Sequence, residues 1–290
     1  MRNKIKPFDI GLNIFFIVLA LITLYPFYYV LIMSFSNAVA TAQHVPYMLP
    51  YVIDFSGYKT IFADAAFFKA FGTSLFVTIV GVCINMVLSI MGAYALSKKS
   101  LIGRNFFLTL ILFTMLFSGG LVPTYLNIKN LGITNTIWAM IFPTALSTYY
   151  MIIMKNYFVS LPESLEEAAR IDGANSFVIL VKIIIPISMP FVATFALFYA
   201  VERWNEWYNA MLYISEKRLQ PLQIYLREVL ISLSSQLAAQ AQVMVGKTQK
   251  VMATTVQMAC IVITMVPILC VYPFVQKHFV KGVMVGGIKE

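Results

Sequence analysis

The chain has 290 residues, 60% apolar and only 11% charged, with a mean hydropathy of +0.81. Soluble globular domains sit near half apolar and a quarter charged, so most of this chain must face something other than water. The net charge of +9 comes from Lys and Arg gathered near the ends of apolar runs. That is what membrane orientation requires, and it does not point to nucleic acid.

Taken in order, six apolar stretches predict helices that cross the ~30 Å hydrocarbon core: Ile10–Met33, Phe71–Leu96, Phe106–Leu121, Ile137–Tyr157, Val181–Ala200 and Ala253–Val275. The runs are continuous and do not alternate, which argues against a transmembrane β-barrel. The expected fold is therefore all-α: a polytopic membrane protein, with residues 1–290 forming one transmembrane domain. Basic residues at Arg2, Lys4, Lys6, Lys98, Lys99, Arg104, Lys155, Arg170, Lys182, Lys277, Lys281 and Lys289 lie on the proposed inner side. The first two outer loops carry only Lys59, Lys69 and Lys129, so both termini are expected inside. The third outer segment, with Arg203, Lys217, Arg218, Arg227, Lys247 and Lys250, breaks the pattern. It is about 50 residues long, and long loops cross largely regardless of charge.

The first stretch has a basic start and ends near Ala38-Val39-Ala40, as a signal peptide would. At about 24 residues it exceeds the 7–15 of a cleavable apolar region and is expected to stay as a span. Pro26 should kink that helix without ending it. The outer segment Ser34–Ala70 should form an ordered, partly amphipathic cap. Asn205–Met252 should hold a polar helix, Leu219–Leu237, and a Gln/Ala-rich stretch.

Catalytic signals are lacking. Val245-Gly246-Lys247-Thr248 resembles the end of a phosphate-binding loop, but the glycine required five residues before Gly246 is Ala241. Cys83, Cys260 and Cys270 lie in apolar runs without CxxC spacing and are expected to pack as small apolar residues. His44 and His278 are too far apart in sequence to suggest a metal site. No Ser/His/Asp set, Cys/His set or carboxylate dyad is visible, so the chain is not expected to be an enzyme by itself.

Two segments carry functional candidates. The first is a polar island on the proposed inner side, at about residues 158–180. Ser160 and Pro162 predict a helix start, and Glu163, Glu166 and Glu167 suit its positive end. Gly173 is a natural stop. A short helix, a turn at Asp172-Gly173-Ala174, and a second helix running into span five are expected, with Pro186 and Pro190 bending that span. By composition alone this could equally be a solvated loop. The second segment is Glu202–Asn209, where Glu202, Trp204, Asn205, Trp207 and Tyr208 stand near the outer end of span five. Such residues serve as interface anchors or as a sugar-binding surface. An unpaired charge deep in lipid costs about 2.5–3.5 kcal/mol, so Glu202 and Arg203 should face protein or a wet cavity. Asn85 and Ser89, one turn apart in span two, either face the same cavity or bond between helices.

The island also carries a resemblance. Glu167-Ala168-Ala169, Gly173, Ile183, Ile185 and Pro186 stand at the spacing of the EAA loop of ABC importer permeases, with Ile185 where leucine is usual. Gly119-Gly120-Leu121-Val122-Pro123-Thr124-Tyr125, Trp204–Ala210, Pro221-Leu222-Gln223 and the tail Lys281–Gly287 are similar to the sugar-importer branch, in its six-span smaller permease subunit. They most resemble permeases for complex oligosaccharides of the polygalacturonan and lipo-oligosaccharide type.

The resemblance covers nearly the whole chain and implies a type I ABC importer permease in the inner membrane of a bacterial cell. It implies a heterodimer with a second permease subunit, two ATPase subunits holding ATP and Mg, and an extracellular solute-binding protein. The chain itself would bind no cofactor. Glu167, Ala168, Ala169, Asp172, Gly173, Ala174 and Pro186 would couple to the ATPase. Lys281, Gly282, Gly286 and Gly287 would contact it too, although Glu290 stands where a last glycine is usual. An importer of a non-sugar solute, or a carrier working alone, are the other readings; a carrier should show mid-span carboxylates, and none is seen.

Overall fold

A computed structural model describes residues 7–37, 49, 52–242 and 254–271. The described chain is helical, and β pairing within it is confined to an isolated antiparallel bridge from Ser36 to Ile53. In chain order the helices are α1 (Pro7–Ser34), α2 (Ser56–Ala63), α3 (Ala65–Ser97), α4 (Arg104–Leu116), α5 (Leu121–Asn130), α6 (Trp138–Ile141), α7 (Thr148–Val159) and α8 (Ser164–Ile171). They continue with α9 (Ser176–Ile179), α10 (Ile185–Ile187), α11 (Met189–Trp204), α12 (Tyr208–Tyr213) and α13 (Leu222–Gln242), then α14 (Thr254–Val271).

Three described helices are long and apolar enough to cross a membrane: α1 from Ile10, α3 and α14. Two more candidates are bent pairs: α4 with α5 at 116°, and Ser176–Ile187 with α11 at 88°. The third expected span therefore ends early, at Leu116. Gly120, at φ +88° and ψ 174°, holds a backbone conformation that only glycine adopts readily, and the chain turns there into α5. The expected stretch Ile137–Tyr157 is likewise divided. After α6 comes a 3₁₀ turn, Phe142–Thr144, which contains Pro143. Proline has no amide hydrogen to continue the helical ladder. The chain restarts as α7, with Ser147 as its cap accepting from the Tyr150 amide at 3.4 Å.

The chain divides into two compact units: residues 1–68 with 225–267, and residues 69–224 with 268–290. In the first, the apolar side chains of α1 stand largely exposed, from Ile14 to Leu24, as suits a helix facing lipid. Pro26 lies inside α1 and does not end it. Below α1, Phe35 stacks on Tyr58 at 5.2 Å, whose hydroxyl donates to Ser34 at 2.8 Å. A Cβ on Gly57 would lie 3.0 Å from the Thr255 carbonyl oxygen, so only glycine lets α2 approach α14 this closely. Cys260 of α14 is buried, whereas Cys83 and Cys270 are exposed, against the expectation of burial for all three.

In the second unit, one cluster packs Met86, Ile90 and Tyr94 of α3 against Met151, Met154 and Phe158 of α7 and against Ile179, Ile184, Phe195 and Tyr199. Another joins Val77, Ala139, Met140 and Ile141 to Ala210, Tyr213 and Ile224. Tyr157 and Phe191 stack at 3.9 Å, fixing α7 against α11.

Candidate functional site

The island folds as helix, turn, helix. Helix α8 starts at Ser164 and has no side-chain cap; Ser160 instead closes α7, donating to the Tyr157 carbonyl at 2.8 Å. The turn satisfies the orphan carbonyls of α8 in a Schellman motif: the Gly173 amide donates to Arg170 at 3.0 Å and the Ala174 amide to Ala169 at 2.9 Å. Gly173 sits at φ +81°, where a side chain would be strained. Asn175 then caps the next helix, accepting from the Val178 amide at 2.9 Å. That helix passes through a π-helical stretch, Leu180–Ile184, and breaks at Ser188, between Pro186 and Pro190.

One side of the loop is held and the other is open. Ala169 is buried and Ala174 half-buried, while Glu167, Ala168, Asp172, Gly173 and Pro186 are exposed. Ile171 is 87% exposed, a large apolar side chain between Arg170 and Asp172. The loop is also tied to α3: Glu166 pairs with Lys98, both largely buried, and the Lys98 ammonium lies 4.3 Å from the centre of the Tyr94 ring. Sequence reading missed this link, since nothing local pairs position 98 with position 166.

The Glu202–Asn209 segment divides by environment. Arg203 is 3% exposed. Its Nε and Nη2 donate to Asn85 Oδ1 at 3.0 and 2.8 Å. Nη1 donates to the Met140 carbonyl and Thr144 Oγ1 at 2.8 and 2.7 Å, and Nη2 to the Ile141 and Thr144 carbonyls at 3.0 and 2.7 Å. Asn85 also donates to the Thr144 carbonyl at 2.9 Å. The divided helix at 138–147 leaves backbone carbonyls without helical donors, and the guanidinium fork supplies them. Irregular backbone at membrane depth is tolerated only when satisfied in this way.

Ser89 is bonded to the Tyr199 hydroxyl at 2.7 Å, and that hydroxyl accepts from the Ser147 amide at 3.1 Å. Asn85 and Ser89 thus both make helix–helix bonds. Trp204 is buried, edge-on to Phe71 at 5.9 Å. Glu202 is exposed and accepts from the Tyr150 hydroxyl at 2.6 Å. Asn205 is exposed and accepts from Gln223 at 3.3 Å. Trp207 and Tyr208 are each 46% exposed and meet edge to face at 5.8 Å. Glu206 caps α12, accepting from the Asn209 amide and side chain at 2.9 and 3.0 Å. Lys281, Gly282, Gly286 and Gly287 lie outside the described residues, as do Val245–Thr248 and both histidines. Among the described residues, no three His, Cys, Asp or Glu side chains gather as metal ligands would.

Residues 101–285 match the family described as "binding-protein-dependent transport system inner membrane component". The chain belongs to that family. This permease is 39% identical over 289 residues to the polygalacturonan/rhamnogalacturonan transport system permease protein YtcP of Bacillus subtilis (strain 168), covering 100% of both chains. It is 41% identical over 284 residues to Protein LplC of the same organism, covering 98% of this chain and 95% of that one. Its fold matches a chain of a bacterial ABC transporter involved in the import of the acidic polysaccharide alginate. There the TM-score is 0.86 at 36% identity, over 96% of this chain and 99% of that one. The permease is thus a membrane-embedded, non-catalytic ABC transporter subunit of type I architecture, and ATP hydrolysis belongs to a separate subunit. Such a subunit works with a second permease, ATPases and a solute-binding protein.

Proposed function

We propose that this permease is one half of a heterodimeric pathway for oligosaccharides, driven by two ATPase subunits from the cytoplasmic side of a bacterial inner membrane. The observation that carries the coupling role is the open face of the 164–174 loop. Ile171 and the exposed Glu167 and Asp172 form a knob, and the Schellman turn at Gly173 brings backbone to the surface where a partner can approach. The ATPases would bind ATP and Mg and close on this knob. The Lys281–Gly287 tail would meet the ATPase as well.

Rigidity supports this role. Ala169 anchors the loop to the same cluster that holds Ile179 and Ile184, so displacement of the loop displaces the lower end of span five. The six-span topology, with both termini inside, takes the α4–α5 pair, the divided segment 138–159 and the pair meeting at Ser188 as one span each. The names of the relatives support an oligosaccharide cargo, delivered by an extracellular binding protein. Glu202, Asn205, Trp207 and Tyr208, which are exposed, are the candidates for its outer route, whereas Trp204, Asn85 and Ser89 are buried in contacts between helices.

The test is Glu167→Lys in the reconstituted complex. It should leave insertion and subunit assembly intact and sharply lower ATPase stimulation by the loaded binding protein. Unchanged stimulation would remove the coupling role from this face. Uptake by the permease alone in liposomes, without any ATPase, would sink the whole reading.

A further inference from the structure

Two cations at one end of the second unit have no carboxylate partner among the described residues. Arg104 opens α4 and Lys155 stands in the last turns of α7, and these two helices pack together. The two side chains are half-buried and within Coulombic reach of each other. Arg104 donates from Nε to the Leu96 carbonyl at 2.8 Å, which holds its guanidinium in place. Among the described residues, Lys155 donates to the neighbouring Asn156 amide oxygen at 2.9 Å and to no carboxylate. Of the adjacent lysines, Lys98 is engaged with Glu166, whereas Lys99 is largely exposed, stands 3.8 Å from Glu163 and adds its charge to the rim of the same recess.

Orientation in a membrane needs positive charge on one side, but solvated, well-separated lysines supply that. Two half-buried cations on packed helices, each within the other's field, repel, and an anion between them relieves that repulsion. Beside the pair the loop is concave, between Lys99 and Phe106, and Gly103 turns through φ +73°. Ile102 is 93% exposed and Phe106 is 68% exposed there. A basic recess flanked by apolar side chains at the end of membrane helices suits a ligand with an anionic head and acyl tails.

We propose that Arg104 and Lys155 bind the phosphodiester of an anionic phospholipid, with Ile102 and Phe106 against its acyl chains. Uncommitted guanidinium nitrogens of Arg104 face one phosphate oxygen and the Lys155 ammonium another. The site needs only that the protein sits in a membrane. It is independent of the coupling loop and of the cargo.

The experiment uses the assembled transporter in nanodiscs of phosphatidylcholine, with or without phosphatidylglycerol. Retained phosphatidylglycerol is counted by native mass spectrometry, and thermal stability is followed in parallel. The wild type should retain at least one phosphatidylglycerol more than Arg104→Gln/Lys155→Gln, and should gain stability from that lipid where the double variant does not. Lys129→Gln, which removes one cation elsewhere, should behave as wild type. Lys155→Met keeps the aliphatic stem and should weaken retention about fivefold or more by itself, which guards against a double variant that fails to fold. Equal retention in wild type and Lys155→Met would overturn the proposal. So would full displacement of the lipid by inorganic phosphate at millimolar concentration, since the site would then take any phosphate anion.

Discussion

Arg203 and Asn85 lie 118 positions apart in sequence, yet the guanidinium places two donors on one amide oxygen, at 3.0 and 2.8 Å. Around that contact it satisfies three carbonyls of the divided helix. Each buried polar group left unpaired costs ~1–3 kcal/mol. Arg203→Leu should therefore destabilise the permease by roughly 3 kcal/mol or more. Arg203→Lys should recover only a small part, because one ammonium cannot span the fork. Gly81→Ala should act in the same direction, since its Cβ would lie 2.9 Å from Arg203 Cδ and Nε. Thermal melts in nanodiscs measure all three. A loss under ~1 kcal/mol for Arg203→Leu would mean the hub is not needed for stability.

The hub also marks the limit of what the sequence shows. An arginine beside apolar residues announces that it must face protein, but its acceptors are backbone carbonyls, which have no sequence signature. The membrane class was legible because hydropathy is a property of runs, and the 164–174 loop because its helix and glycine turn are local; the expected Ser160 cap was not, since that hydroxyl closes α7 instead. The breaks were less so. Pro186 and Pro190 did announce the bend of span five, and Gly120 and Pro143 are visible as letters, yet the angles of 116° at Gly120 and 88° at Ser188 follow from backbone conformation and from the packing that pins each half. Trp204 and Trp207 read alike, three residues apart, and only the fold assigns one to the interior. The 98–166 ion pair is likewise a product of tertiary approach.

That pair yields a second prediction. Lys98 pairs with Glu166 on α8 while its ammonium stands over Tyr94 of α3. If the loop moves with the ATPase, this contact carries the motion to α3 as well as to span five. Lys98→Glu should lower coupled uptake more than basal ATP hydrolysis. Lys98→Glu with Glu166→Lys should restore much of it, an outcome that a general folding defect could not produce. Failure of the exchange to restore uptake would leave the pair with a purely local role.

Tyr225 gives a pH dependence outside the membrane spans. Burial, and then its hydrogen bond to Asp64 at 2.8 Å, hold its hydroxyl proton well above the usual value of 10.0. The folded state binds that proton more tightly than the unfolded state. Its contribution to stability is thus complete below the unfolded value and is lost as pH rises through the folded one. Tyr225→Phe should be less stable than wild type near pH 8, and the difference should shrink steadily above pH 10. Melts across that range would show it, and a difference that widens with pH would contradict the assignment.

Trp204 and Trp207 separate fold from route. Trp204 is 5% exposed against Phe71, whereas Trp207 is 46% exposed beside Tyr208. Truncating a buried tryptophan costs ~3–5 kcal/mol, so Trp204→Ala should lower the yield of assembled transporter and its melting temperature together. Trp207→Ala removes no buried contact of that size and should stay within ~0.5 kcal/mol of wild type. Its effect should fall on uptake, as a higher half-saturating concentration of loaded binding protein or a lower maximal rate. The assay is transport normalised to the amount of assembled complex, measured for both variants. Normal uptake by Trp207→Ala would return the outer aromatic pair to an interface anchor, and a normal melting temperature for Trp204→Ala would remove Trp204 from the core.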